Sequence, residues 1–253
     1  MKFVVIIPAR YSSSRLPGKP LKDICGENMI TRVARKALSS SASRVIVATD
    51  NELVATGVSL EGVEVCMTDS NHNSGTERLA EVCRKLNLSH DTIVVNVQGD
   101  EPLIPPELIN QVASDLNDNT AQMATLCVPI TDQTEIFNTN SVKVITNKLG
   151  NAIYFSRAPI PFDRDNFNKD EPTQYGIHYR HLGIYAYRAG FLQEFVNWES
   201  STLEDIEKLE QLRALYNGAN IHVSVDSIVP PPGVDTAEDL EKVIAYIKEH
   251  PND

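Results

Sequence analysis

Short apolar runs alternate with amphipathic stretches through the first half of the chain. Phe3–Ile7, Val45–Thr49, Val63–Met67 and Thr92–Val97 are brief and rich in Val and Ile. Such runs suit strands buried on both faces. Between them, Met29–Leu38 has helical periodicity, and Thr76–Leu86 places Leu79, Val82, Cys83 and Leu86 on one side of a helix. Glu52–Leu60 reads as a further helix, and Pro106 starts another with Leu108, Ile109 and Val112 on one side. This alternation predicts an α/β fold with a doubly wound, mainly parallel central sheet.

From about Met123 the rhythm changes. Met123–Val128, Val142–Thr146 and Ala152–Ser156 are short β-like runs, followed by the polar segment Asp163–His178 and another strand at Leu182–Tyr187. They predict a smaller antiparallel subdomain, inserted at about 123–190 into a single domain spanning 1–253. The Asn166–Tyr175 stretch reads as a surface loop. Leu203–Asn217 reads as one helix stopped by Gly218, Ile221–Val225 as a last strand, and Thr236–Lys248 as a closing helix. No internal repeat or low-complexity tract interrupts the pattern.

The chain has 253 residues, 42% of them hydrophobic and 23% charged, enough for a sizeable core. A formal net charge of −11 argues against sequence-independent binding to nucleic acid or to an anionic membrane, both of which need a basic surface. Cys25, Cys66, Cys83 and Cys127 lack CxxC spacing and read as buried, reduced thiols. The N-terminus has no signal-peptide pattern and no run approaches membrane-spanning length, so a cytoplasmic location is expected.

Against that acidic background, the loop after Phe3–Ile7 concentrates Arg10, Arg15 and Lys19, with three consecutive serines and Gly18 between two prolines. Cations beside flexible backbone suit a polyanionic phosphate. Open α/β sheets bind ligands beyond the carboxyl ends of their strands. Three further stretches fall at predicted strand exits or helix starts: Ser74-Gly75-Thr76-Glu77-Arg78, Gln98-Gly99-Asp100, and Gly233-Val234-Asp235-Thr236. Mg²⁺ favours one or two carboxylates with water and substrate phosphates in its other positions. Asp100 and Asp235 are the candidate pair, although either residue type also serves as a helix cap or turn former.

The segments PARYSSSRLPGKPL, SGTERLAEV, NVQGDEPLIP, YFSRAPIP, RHLGIYAYR, LEKLEQLR and GVDTAEDLE together resemble the 3-deoxy-manno-octulosonate cytidylyltransferases, from residue 3 to about residue 245. The resemblance implies a nucleotide-diphospho-sugar-transferase-like fold. It also implies transfer of CMP from CTP to 3-deoxy-manno-octulosonate (Kdo) with release of pyrophosphate, a step of lipopolysaccharide biosynthesis. Arg10, Arg15 and Lys19 would hold the triphosphate, with Arg15 and Lys19 also catalytic. Pro8, Ala9, Ser74, Gly75, Arg78 and Gln98 would surround the nucleoside. Asp100 and Asp235 would bind Mg²⁺. Gln98, Arg157, His181, Tyr185, Glu210 and Gln211 would recognise the sugar acid, Arg157 by a forked pairing with its carboxylate. The resemblance further implies a homodimer.

No dedicated general base stands out, so the expected mechanism rests on metal activation of the sugar's anomeric hydroxyl. Two other readings stay open. One keeps nucleotidyl transfer but changes the acceptor to 8-amino-Kdo or another α-keto sugar acid. The other is a nucleotide-binding regulatory protein without turnover, for which two metal-binding acids would have no use.

Overall fold

The computed structural model describes residues 1–13, 15–167 and 176–250. The chain opens with β1 (Phe3–Ala9), a small hairpin of β2 (Asp23–Ile24) and β3 (Glu27–Asn28), and helix α1 (Met29–Leu38). There follow β4 (Arg44–Thr49), α2 (Glu52–Gly57), β5 (Val63–Met67), α3 (Gly75–Lys85), β6 (Ile93–Asn96) and α4 (Pro106–Asn117). The next stretch holds β7 (Met123–Pro129), α5 (Gln133–Phe137), β8 (Lys143–Thr146), β9 (Ala152–Ser156) and β10 (Tyr179–Arg188). The remainder forms α6 (Ala189–Phe195), α7 (Thr202–Glu207), α8 (Gln211–Tyr216), β11 (Ile221–Val225) and α9 (Ala237–Glu249). Most of the surface loop expected at Asn166–Tyr175 lies outside the described residues.

A nine-stranded sheet runs in the order β11-β7-β10-β6-β1-β4-β5, with β8 attached to β10 and β9 to β8. β1 is parallel to β4 on one side and to β6 on the other. The chain thus builds outward through β4 and β5, then returns across β1 to place β6. The resulting switch point between β1 and β6 is where such sheets open a crevice at their carboxyl ends. β10 runs antiparallel between β6 and β7, shifts register between Leu182 and Tyr185, and carries the antiparallel β8–β9 pair at its start. The antiparallel part is therefore continuous with the main sheet.

The opening strand is buried on both faces, as its composition predicts. Val5 and Ile7 pack with Ile30, Val33, Leu108 and Val112 on one side of the sheet. Val4 and Ile6 pack with Leu79, Val82, Leu192 and Leu212 on the other. A third, smaller core joins Leu16, Ile24, Met29, Val234, Val243 and Ile247. It buries apolar residues of the first loop, α1 and α9 together. That fixes the loop after β1 against the residues leading into the closing helix.

Three readings of the sequence need correction. Leu203–Asn217 is two helices, broken at Lys208, which adopts left-handed backbone with φ 53° and ψ 47°. The break turns α7 away from the core, so Ile206 is 75% exposed while Leu209 beyond it is buried. Arg213 braces the break with a two-pronged bond to Glu204, 2.8 and 2.6 Å, and its guanidinium stacks over Phe195. The helix expected at Glu52–Leu60 stops at Gly57, because Val58 is extended. All four cysteines are free thiols; Cys83 and Cys127 are buried, and burial pushes both up to about 12, but Cys66 is only half-buried and Cys25 is exposed.

Gly99 shows how closely β1 and β6 approach at the switch point. A Cβ there would stand 2.7 Å from the Pro8 carbonyl oxygen, a backbone atom with nowhere to move. Gly99→Ala is expected to cost about 1–3 kcal/mol by overpacking. Gly183 in β10 has open space around it, so Gly183→Ala should change stability by less than ~1 kcal/mol. Urea unfolding of the two variants beside the unaltered protein checks the contrast; equal costs would contradict it.

Candidate active site

A cleft of about 340 Å³ opens at the switch point. Pro8, Ala9, Arg10, Arg15 and Lys19 line it from the end of β1 and its loop. Gly75 and Arg78 come from the start of α3, Gln98, Gly99 and Asp100 from the exit of β6, and Asp235 from the approach to α9. The size suits a small-molecule ligand.

Two contacts bring Asp100 and Asp235 together. The Val234 backbone N–H donates to the Asp100 carbonyl at 2.8 Å, stitching the two loops side by side. The Lys19 ammonium then bridges their carboxylates, 2.6 Å from Asp100 Oδ2 and 3.1 Å from Asp235 Oδ1. Arg15 Nη2 reaches the same Asp235 oxygen at 3.1 Å. Neither acid is consumed by capping: Thr236 caps α9 in a box with Asp239, and Pro105 precedes the first turn of α4. Burial opposes the charge on Lys19, but Asp100 and then Asp235 outweigh it and hold its pKa above the ordinary lysine value. The ammonium is therefore charged throughout the neutral range.

The nucleoside-side residues divide. Gly75 packs against Pro8, where an added Cβ would meet the proline ring at 3.3 Å. Ser74 does not line the cleft; its hydroxyl caps α3 by accepting the Glu77 N–H. Arg78 is fully buried, with Nη2 on Asp50 Oδ2 at 2.9 Å and Nη1 on the Thr68 hydroxyl, while its Nε has no partner among the described residues. Its charge thus goes first to fastening α3 to the ends of β4 and β5.

The proposed sugar-side residues gather beyond β6. Tyr185 of β10 pairs in register with Asn96, two residues before Gln98. The His181 ring lies 5.0 Å from the Phe155 ring and 5.2 Å from that of Tyr185. Its Nε2 is 3.0 Å from the Thr125 hydroxyl. Glu210 accepts from the Thr76 hydroxyl at 2.6 Å, which ties the start of α8 to the start of α3 beside the cleft. Burial raises the Glu210 carboxyl above its ordinary range, although Thr76, Ser74 and Arg213 pull it back. Gln211 is buried. Arg157 is already engaged: Nε donates to the Glu207 carbonyl at 2.7 Å and Nη1 to the Thr139 carbonyl at 3.0 Å. Nη2 and the second Nη1 proton are not used by these bonds, so the end of the guanidinium can still fork a carboxylate.

Two acids escaped the sequence reading. Glu101 lines a separate cavity of about 110 Å³ with His181 and Pro230–Pro232. Burial and then the charge of Asp100 push its carboxyl up to about 8. Its position beside Asp100 gave no hint that the two side chains serve different spaces. The second is Glu207, which closes the Arg157 network. It reads in sequence as one more solvated helix position.

A cationic arm and two acids gathered at the switch point of a doubly wound sheet define a nucleotidyltransferase site. A sequence model of the cytidylyltransferase family matches residues 4–221. The chain is 59% identical over 247 residues to the 3-deoxy-manno-octulosonate cytidylyltransferase of Tolumonas auensis, covering 98% of this chain and 97% of that one. It is 58% identical over 251 residues to the enzyme of the same name from Haemophilus influenzae, covering 98% and 99%. A solved structure of CMP:2-keto-3-deoxy-manno-octonic acid synthetase complexed with CTP matches with a TM-score of 0.90 at 41% identity, over 99% of this chain and 100% of that one. The chain belongs to the 3-deoxy-manno-octulosonate cytidylyltransferases.

His181 offers a check on this packing. Burial pushes its imidazole down to about 3, whereas an unfolded chain protonates histidine near ~6.5. Between those values the unfolded state binds more protons, so stability rises with pH across the window and is lost as acid is added. Relative to His181→Gln, the unaltered protein should lose up to about 1 kcal/mol per pH unit on going from pH 6 to 4.5. Urea unfolding at both pH values measures it; parallel slopes would contradict a neutral ring partly withdrawn from water.

Proposed function

We propose that this chain transfers CMP from CTP to the anomeric hydroxyl of Kdo, giving CMP-Kdo and pyrophosphate. The observation that carries the reading is the convergence of Arg15 and Lys19 with Asp100 and Asp235 in one cleft, with Gln98 leading from it toward His181, Tyr185 and Glu210. The relatives' names and the CTP complex of the structural relative support the same substrates.

The residues fit Mg²⁺ through the chemistry of the donor set. Asp100 and Asp235 present two carboxylates to a single cation, Lys19, and a divalent ion satisfied by one or two carboxylates takes its remaining ligands from water and phosphate. When bound, the metal neutralises phosphate charge and lowers the pKa of a hydroxyl beside it. The chain supplies the rest. Arg10, Arg15 and Lys19 receive the triphosphate, and the permanently charged Lys19 offsets negative charge on the departing pyrophosphate. Ala9, Gly75 and Gln98 leave room at the cleft wall for the base and ribose. Glu210 accepts hydrogen bonds from hydroxyls of the sugar, and Arg157 lends positive charge to its carboxylate. The α-phosphorus exchanges its bond to the pyrophosphate oxygen for one to the anomeric oxygen, whose proton leaves to solvent. The homodimer implied by the resemblance belongs to the same proposal, and a solution mass twice that of one chain would support it.

Incubation with CTP, Mg²⁺ and Kdo should release pyrophosphate well above a control without sugar. Chelation with EDTA should abolish the release and excess Mg²⁺ restore it. Asp100→Asn should lower kcat by about 10²–10³-fold. A sugar-independent signal, or an Asp100→Asn variant as fast as the parent, would sink the reading. Offering 8-amino-Kdo in equal amount tests the acceptor.

A further inference from the structure

The break between α7 and α8 exposes backbone that a continuous helix would hide. Because Lys208 is left-handed, the Glu207 carbonyl has no helical partner and accepts from Arg157 Nε at 2.7 Å. The Glu207 side chain turns to the same neighbour. Its Oε2 accepts the Arg157 backbone N–H at 3.0 Å, and its Oε1 accepts the Ser156 hydroxyl at 2.5 Å. One residue thus holds the end of β9 by three bonds, while three positions on it leads into Glu210 and Gln211.

Arg157 is gripped from the other side as well. The ammonium of Lys143, fully buried, donates to the carbonyls of Arg157 at 2.8 Å, Asn138 at 2.8 Å and Ser141 at 2.5 Å. It fixes the turn whose Thr139 carbonyl receives Arg157 Nη1. With Nε and Nη1 anchored on backbone, the guanidinium has one setting. Anchoring of this kind suits a side chain whose placement matters, because holding a half-buried arginine in one rotamer costs conformational entropy.

We propose that Glu207 is a positioning residue for the sugar acid, setting Arg157 on β9 and Glu210 with Gln211 on α8 at a fixed spacing. This rests on the reading of those three residues as sugar-side groups. Glu207 itself touches no substrate. It joins the two walls between which the acceptor lies, so its loss loosens the acceptor half of the site, while the nucleotide cleft, built from β1, β6, the start of α3 and the approach to α9, keeps all of its own bonds.

The test is steady-state kinetics on Glu207→Ala and Glu207→Gln beside the unaltered protein, varying Kdo and CTP separately. Glu207→Ala leaves the Ser156 hydroxyl and the Arg157 N–H without their acceptor, a loss that should raise KM for Kdo about tenfold. KM for CTP should stay within about twofold, since no bond to the nucleotide cleft is removed. Glu207→Gln keeps the shape and one acceptor oxygen and should recover most of the loss. A structural role alone would lower the melting temperature or kcat and leave the ratio of the two KM values unchanged; that result, or an unchanged Kdo KM, overturns the inference. If Glu207→Ala does not fold, Ser156→Ala carries the test, since it deletes a single donor to Glu207. There a rise in Kdo KM of about threefold supports the inference and no rise overturns it. Absence of Kdo-dependent pyrophosphate release from the unaltered protein would remove the functional reading and this inference together, whereas normal turnover with an unmoved KM ratio removes the inference alone.

Discussion

One ammonium group organises the centre of this molecule. Lys19 Nζ holds Asp100 and Asp235, which lie 81 and 216 residues away along the chain. The side chains of Lys19 and Asp100 are only 16% and 29% exposed, so both have lost much of their water, and each depends on the other for compensation. With Arg15 on Asp235 the cluster has two positive and two negative groups. A metal-bound triphosphate offers the same arrangement in exchangeable form: phosphate oxygens for the cations, a divalent ion for the carboxylates. A nucleotide entering with its metal would therefore leave no buried charge unpaired, which is the condition that most penalises removal of one partner from such a pair.

That cluster depends in turn on backbone geometry. Gly99 lets the exit of β6 touch the Pro8 carbonyl, and the Val234–Asp100 bond lays the last loop alongside. The small core of Leu16, Met29, Val234 and Val243 supplies the apolar burial that keeps the arm and α9 together. Apolar packing here does electrostatic work, because it sets the distance at which like-charged carboxylates are held and hence how strongly they require a cation between them.

The acceptor half follows a different logic. The residues proposed for it lie at the end of β9, on β10 and at the start of α8, outside the parallel core, and are held mainly by hydrogen bonds to backbone carbonyls and to the Thr76 and Thr125 hydroxyls. Lys143 and Glu207 grip Arg157 from either side, and Thr76 carries Glu210 back to the helix that borders the nucleotide cleft. One left-handed residue, Lys208, makes this possible, since an unbroken helix would keep the Glu207 carbonyl for itself.

The strands β1, β4, β5 and β6 were legible because each is a brief β-branched run, and a strand buried on two faces has few other ways to read. Arg10, Arg15, Lys19, Asp100 and Asp235 were legible as candidates because charge beside glycine or proline at a strand exit is unusual in so acidic a chain. The family resemblance added the acceptor-side residues, which residue patterns alone left as ordinary surface or core. What the sequence left open is set by contacts distant along the chain. β10 threads antiparallel between β6 and β7, which no local pattern specifies. Glu101 and Asp100, adjacent and chemically alike, part company because one carboxyl loses its water and is pushed up to about 8, while the other meets Lys19. Leu203–Asn217 has the periodicity of one helix, yet bonds from Glu207 to Arg157 and from Arg213 to Glu204 favour a break at a lysine, a residue with no local preference for one. Local pattern thus determined the strands and the charged arm, because burial and backbone sterics act over a few residues. Which acid meets which cation was decided by tertiary structure, because electrostatic partners are fixed only when the chain has closed around them.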